Sequence, residues 1–164
     1  MTEIAFELNG RKVVTEAGPS LTLADLLRSS LGACSVHLGC EQGVCGACTV
    51  LVDDKSVRSC LMLAVQAEDR RITTAEGVAE RHSDLWETIE STFVSEGAFQ
   101  CGYCTSGMIV SLSEILDQGA RLTRSELVER LSGQICRCTG YAPIRAACEL
   151  ILAEAGLFSG EEER

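Results

Sequence analysis

The sequence predicts an α+β chain in two parts, a β-rich N-terminal domain over residues 1–77 and an all-helical domain over 78–164. Three observations carry this reading. Apolar residues alternate around a tight-turn dipeptide at the start of the chain. From about Gly77 onward the apolar pattern changes to one-faced helical spacing. Ten cysteines are present, and eight of them fall into two compact sets, one in each part.

Ile4 to Leu8 and Lys12 to Thr15 flank Asn9-Gly10, the strongest short hairpin signal. Thr22 then precedes Leu23, Leu26, Leu27 and Leu31, a one-faced helix ending at Gly32. Thr49–Val52, 57–63 and 71–74 read as further strands, with Asp53-Asp54-Lys55 as a turn. In the second part, helices are expected over 84–94, 106–116, 125–131 and 143–155. Thr123 and Glu126 form a capping box, Gly119 and Gly156 stand where helices stop, and Pro143 sits near a helix start. The acidic tail Glu161-Glu162-Glu163 reads as frayed.

Composition narrows the function. Hydrophobic residues make up 46% of the 164, enough for a core, and aromatic residues only 4%, so Leu, Ile, Val and Ala must build it. A net charge of −10, with no basic stripe, disfavours nucleic acid and anionic lipid as partners. The N-terminal MTEIAFELNG has neither a basic region nor a long apolar run, and no segment is apolar enough to span a bilayer. A soluble, cytoplasmic chain is therefore expected. Thiols stay reduced there, so ten cysteines point to metal or catalysis rather than disulfides.

Cys40, Cys45, Cys48 and Cys60 follow C-x4-C-x2-C-x11-C, the plant-type ferredoxin spacing. Three ligands on one tight loop wrap most of a 2Fe–2S cluster, and a fourth arrives from a neighbouring strand. Small residues between them let backbone N–H groups approach cluster sulfurs. Four-cysteine zinc usually takes two short knuckles, which this spacing does not make. Cys101, Cys104, Cys136 and Cys138 form the second set, one pair before each of two expected helices. Paired helix N-termini give a positive, donor-rich pocket suited to an anionic cluster. Alone, this set suits zinc as well; its company turns the reading to iron. Cys34 and Cys148 are expected in the core. His37 and His82 are expected at the solvated surface, and a Rieske centre is excluded because neither lies in a C-x-H arrangement. No Rossmann fingerprint, P-loop or nucleophile pair is present, so no substrate site is expected on this chain.

Gly39 to Val50, Gln100 to Gly107 and Cys136 to Tyr141 together resemble the small iron–sulfur subunit of molybdenum hydroxylases, the xanthine oxidase and aerobic carbon monoxide dehydrogenase type. The resemblance covers nearly the whole chain. It implies an N-terminal β-grasp, ferredoxin-like domain followed by a four-helix-bundle 2Fe–2S domain. It also implies an electron-transfer subunit of an oxidoreductase complex, with a molybdenum–pterin cofactor on a large partner, FAD on a medium one, and a dimer of heterotrimers overall. Cys101, Cys104, Cys136 and Cys138 would hold the cluster on the molybdenum side, and Cys40, Cys45, Cys48 and Cys60 the one on the FAD side. Gln100 and Cys138 match positions that touch the pterin. His37, Ser106 and Gln134 depart from the family pattern, where lysine, proline and asparagine are frequent. Gln134 is expected at a polar contact near the second cluster. The alternatives are a free-standing ferredoxin-like carrier and a zinc-stabilised interaction module.

Overall fold

The structure is a computed structural model and describes residues 1–160; the acidic tail lies outside the described residues. Strands β1 (Thr2–Leu8) and β2 (Arg11–Ala17) form the expected hairpin, in register from Thr2 opposite Ala17 to Leu8 opposite Arg11. Asn9 and Gly10 both take positive φ, 49° and 76°, the turn that matches strand twist. Helix α1 (Leu23–Asp25) starts where the Thr22 hydroxyl accepts the Asp25 N–H at 3.1 Å. It widens at once into a π turn over Leu26–Ser30, closed when Leu31 N–H reaches Leu26 O five residues back. Leu23, Leu26 and Leu27 are all buried, so the expected face is kept although the helix is not regular.

β3 (Thr49–Val52), β4 (Lys55–Arg58) and β5 (Arg71–Thr73) complete a sheet of order β2-β1-β5-β3-β4. β1 and β5 run parallel and the other neighbours antiparallel. α1 lies against this mixed sheet over a core that includes Ile4, Phe6, Val50 and Ile72, the β-grasp arrangement. The strand expected over 57–63 stops at Arg58. Ser59 donates its hydroxyl to Cys48 O at 2.6 Å, and Ser59–Leu61 coils into a 3-10 turn that turns Cys60 inward.

Helix α2 (Ala75–Arg81) was not expected. Gly77 weakens its propensity, and Val78 is its one fully buried large side chain. It is held by the hairpin: Asn9 Oδ1 accepts the Thr74 N–H at 2.9 Å. The four expected helices follow as α3 (Trp86–Ser95), α4 (Thr105–Gln118), α5 (Arg124–Leu131) and α6 (Ala142–Glu154). The capping box forms at α5, and Gly119 ends α4 at φ 63°. Ile89, Met108, Leu112, Leu127, Ile151 and Leu152 anchor the helical core. One departure from an all-helical half is a short parallel pair, β6 (Leu122–Thr123) with β7 (Phe158–Gly160), which brings Phe158–Gly160 back beside α5. Among the described residues no helix is long and apolar enough to cross a membrane.

Two further expectations change. Cys148 is fully buried as expected, and burial pushes its thiol up to about 12. Cys34, however, is exposed: Ala33 and Val36 take the core positions, while Cys34 O accepts Arg28 at 2.7 Å. His82 is not solvated. Its Nε2 lies 2.8 Å from Ser113 Oγ, and burial holds its pKa below the usual value. His37 stacks on Tyr103, ring centres 4.4 Å apart.

The halves meet on a small apolar cluster of Leu51, Val78 and Val110. Beside it, Arg81 bridges Asp54 of the β3–β4 turn and Asp117 of α4, both at 2.6 Å.

Candidate metal centres

The first four cysteines converge because the loop before β3 curls tightly. Glu41, Gly43 and Gly46 take φ of 53°, 75° and 81°, a run of left-handed positions that glycine tolerates. The curl points backbone donors inward. Cys45 N–H and Gln42 N–H each lie 3.4 Å from Cys40 Sγ, and they pull the Cys40 thiol down to about 6. Cys48 is buried at the end of the loop, and the Ser59 turn delivers Cys60 beside it. Burial, then the adjacent Cys48, push the Cys60 thiol up to about 11.

The second set forms where two helices begin. Cys101 and Cys104 lie on the turn that leads into α4, and Cys136 and Cys138 in the connection from α5 to α6. Cys138 and Cys101 sulfurs are 3.6 Å apart. Cys104 lies against Cys136, and burial followed by that contact pushes its thiol up to about 12. Burial works against ionisation of Cys136 too, but the Thr139 hydroxyl, 3.2 Å from its sulfur, and the N–H groups of Thr139 and Cys138 outweigh it and lower its pKa. Tyr141, at φ 69°, clasps this loop by accepting the Cys136 N–H at 3.0 Å.

In each set the sulfurs come together as pairs: Cys40 with Cys45 and Cys48 with Cys60, then Cys101 with Cys138 and Cys104 with Cys136. Among the described residues, no three His, Cys, Asp or Glu side chains converge as the shell of one ion. Paired sulfurs fit two bridged irons, each of which takes two terminal thiolates. The donor chemistry fits as well. Thiols held protonated by burial beside others inclined to ionise become a full thiolate set only when a cationic core is supplied. Thr105 Oγ1, next to Cys104, is buried with no hydrogen-bond partner in the protein, leaving a donor at that end of α4.

The two loops touch. Ile135 N–H donates to Cys45 O at 2.9 Å, so a backbone hydrogen bond joins a residue of one set to the neighbour of Cys136 in the other. Tyr103 reaches across from the second loop and donates its hydroxyl to Leu38 O at 3.0 Å. Gln134, expected at a polar contact near the second cluster, is buried between the loops two residues before Cys136, and it also contacts Gly46 of the first loop. Gln100 and Cys138 are both exposed. Sequence reasoning missed Ser59, Tyr141 and the role of Gln134. Thr139, directly after C-x-C, carried a local signal, since Thr side chains commonly bond to their own turn.

Comparison with known proteins agrees along the chain. Residues 6–77 match the 2Fe-2S iron-sulfur cluster binding domain family, and 74–149 match the 2Fe-2S binding domain family. The nicotine 6-hydroxylase small subunit of Paenarthrobacter nicotinovorans is 43% identical over 142 residues, which is 87% of this chain and 84% of that one. The nicotinate dehydrogenase small FeS subunit of Eubacterium barkeri is 46% identical over 146 residues, covering 88% and 90%. Quinoline 2-oxidoreductase from Pseudomonas putida 86 contains a chain of the same fold, with a TM-score of 0.84, 41% identity and 94% of each chain covered. The protein belongs to the family of small 2Fe–2S iron–sulfur subunits of molybdenum hydroxylases.

Proposed function

We propose that this chain conducts electrons from a molybdenum–pterin site on a large partner subunit to FAD on a medium one, through two 2Fe–2S clusters. Cys101, Cys104, Cys136 and Cys138 hold the cluster on the molybdenum side, and Cys40, Cys45, Cys48 and Cys60 the one on the FAD side. The observation that carries this is the pair of four-cysteine sets joined by the Ile135–Cys45 hydrogen bond. Two centres in series bridge donor and acceptor sites that one could not. Each set supplies thiolates and N–H donors; the clusters, when bound, supply one-electron chemistry. Exposed Gln100 and Cys138 are free to meet the pterin.

A subunit is favoured over a free carrier by the apolar side chains left open around both sets. Val44 and Leu61 are 59% and 63% exposed near the first; Phe99, Tyr103, Ile135 and Tyr141 stand open near the second. The complex is a dimer of heterotrimers in the cytoplasm. Its substrate is chosen by the large subunit, since small subunits named for nicotine and for nicotinate complexes are both similar to this chain. The division into a ferredoxin-type domain over 1–77 and a helical domain over 78–164 falls inside α2, where the two family matches overlap.

The test is metal analysis of the complex drawn from its native host by a tag on this chain. Roughly four irons per chain, with molybdenum and FAD, is the expected result. Iron without molybdenum or partners would mean a free carrier, and zinc in place of iron would defeat the cysteine assignment.

A further inference from the structure

Gln134 is 3% exposed, in the short connection between α5 and Cys136. Leaving a buried polar group unmatched costs about 1–3 kcal/mol, so what this amide bonds to is informative. With the amide oriented so that both its ends find partners, Nε2 donates to Gly46 O at 2.9 Å, and Oε1 accepts from Ser111 Oγ of α4 at 2.6 Å, from Thr49 Oγ1 at 3.1 Å and from Arg58 Nη1 at 3.2 Å. Its neighbours act on the same stretch. Ile135 N–H holds Cys45 O, and Arg58 also donates to Gly133 O at 2.7 Å. Two consecutive carbonyls of the first cysteine loop thus meet two consecutive residues of the helical half, and Gly46 O also accepts the Thr49 N–H of β3 at 3.0 Å.

All peptides here are trans, so each N–H lies on the opposite edge from its C=O. With Cys45 O held by the helical half and Gly46 O held between Gln134 and Thr49, the Gly46 and Ala47 N–H groups lie on the opposite edges of those two peptide planes. There is no room to tilt. A Cβ on Gly46 would overlap the Gln134 amide and come within 2.7 Å of Gly133 O, and one on Gly107 would meet Gly46 O.

We propose that Gln134 is a positioning residue for the N-terminal centre: from the helical half it fixes the Cys45–Ala47 peptide planes, and so sets the reduction potential of the cluster in the other domain. This rests on the reading that Cys40, Cys45, Cys48 and Cys60 hold a 2Fe–2S cluster. N–H donors aimed at cluster sulfurs stabilise the more negative, reduced state, so loosening them lowers the potential. The side-chain hydrogen bonds of Gln134 go to Gly46, Ser111, Thr49 and Arg58, none of them in the second set.

The experiment is a redox titration followed by EPR on the intact complex, comparing wild type with Gln134→Met, Gln134→Asn and Ser111→Ala. Gln134→Met keeps the length of the side chain and removes its amide. It is expected to lower the midpoint of the N-terminal cluster, with about a tenfold smaller reduced-to-oxidised ratio at fixed potential, equal to about 59 mV for one electron, and to leave the other midpoint in place. Gln134→Asn, which draws the amide back by one methylene, gives a smaller shift of the same sign even if the Met variant does not assemble. Ser111→Ala opens the same pocket without removing the Gly46 contact and leaves both midpoints unchanged. Equal shifts at both clusters, or no shift at the N-terminal one, overturn the positioning role alone. A wild-type complex without two reduced 2Fe–2S signals overturns the cluster reading and this inference with it.

Discussion

Gly46→Ala tests how tightly the two halves are locked, with Gly10→Ala as its internal control. Both glycines have positive φ, 81° and 76°. Forcing alanine into that region costs about 1–2 kcal/mol at either site. At Gly10 a Cβ meets nothing within 4 Å, so the backbone cost is the whole effect. At Gly46 the Cβ would sit 2.7 Å from Gly133 O, a backbone atom fixed by Arg58. Relieving such overpacking costs about 1–3 kcal/mol, and losing the Gln134–Gly46 hydrogen bond adds about 1 kcal/mol. Gly46→Ala should therefore lose roughly 2–4 kcal/mol more than Gly10→Ala. For a chain of this length that is a melting temperature lower by very roughly 10 °C. The variants and wild type are melted side by side in the cofactor-loaded state, where Tm is the comparable quantity. Equal losses from the two substitutions would refute the claim that the halves are locked at this point.

Two more predictions rest on the cysteine sets and on the ion pairs between the halves. Cys45→Ala should abolish one reduced-cluster EPR signal and spare the other, and Cys104→Ala the reverse; loss of both signals in either folded variant would show that the sets are not independent. The Arg81 guanidinium holds the Asp54 carboxyl below the usual carboxylate range. A lowered folded pKa contributes stability that is present above the ordinary value, near pH 4, and is lost as pH falls through the folded value. The Tm difference between wild type and Asp54→Asn should then be full at pH 7 and shrink below about pH 4; a difference that stays constant with pH would contradict the assignment.

What was legible in the sequence had local causes. Asn9-Gly10 dictates its turn through two residues, and the α3–α6 helices follow from apolar spacing and from caps such as Thr123 with Glu126. The two cysteine sets were legible because ligand spacing on one chain is a local property. The remainder depends on contacts between distant residues. Helix α2 has helix-forming Ala, Glu and Arg around Gly77 but only seven residues, and the hairpin turn fixes its start by holding Thr74. The strand through Cys60 breaks because Ser59 bonds Cys48 O, eleven residues back. Exposed Cys34 and half-buried His82 reverse their expected places because neighbours claimed the core or offered a partner. Gln134 is the clearest case: its partners come from α4, β4 and the first cysteine loop, none of them near it in sequence.

The contact between Gly46 and Gly107 has a consequence for motion. Where the halves meet there, Gly107 packs directly on the Gly46 carbonyl, and the side chain beside them, Gln134, is itself buried and hydrogen-bonded. Some redox proteins carry their cofactor on a head that swings between donor and acceptor. This chain is built the other way, as a fixed wire: its terminals keep one separation, and whatever reaches them must come to the wire.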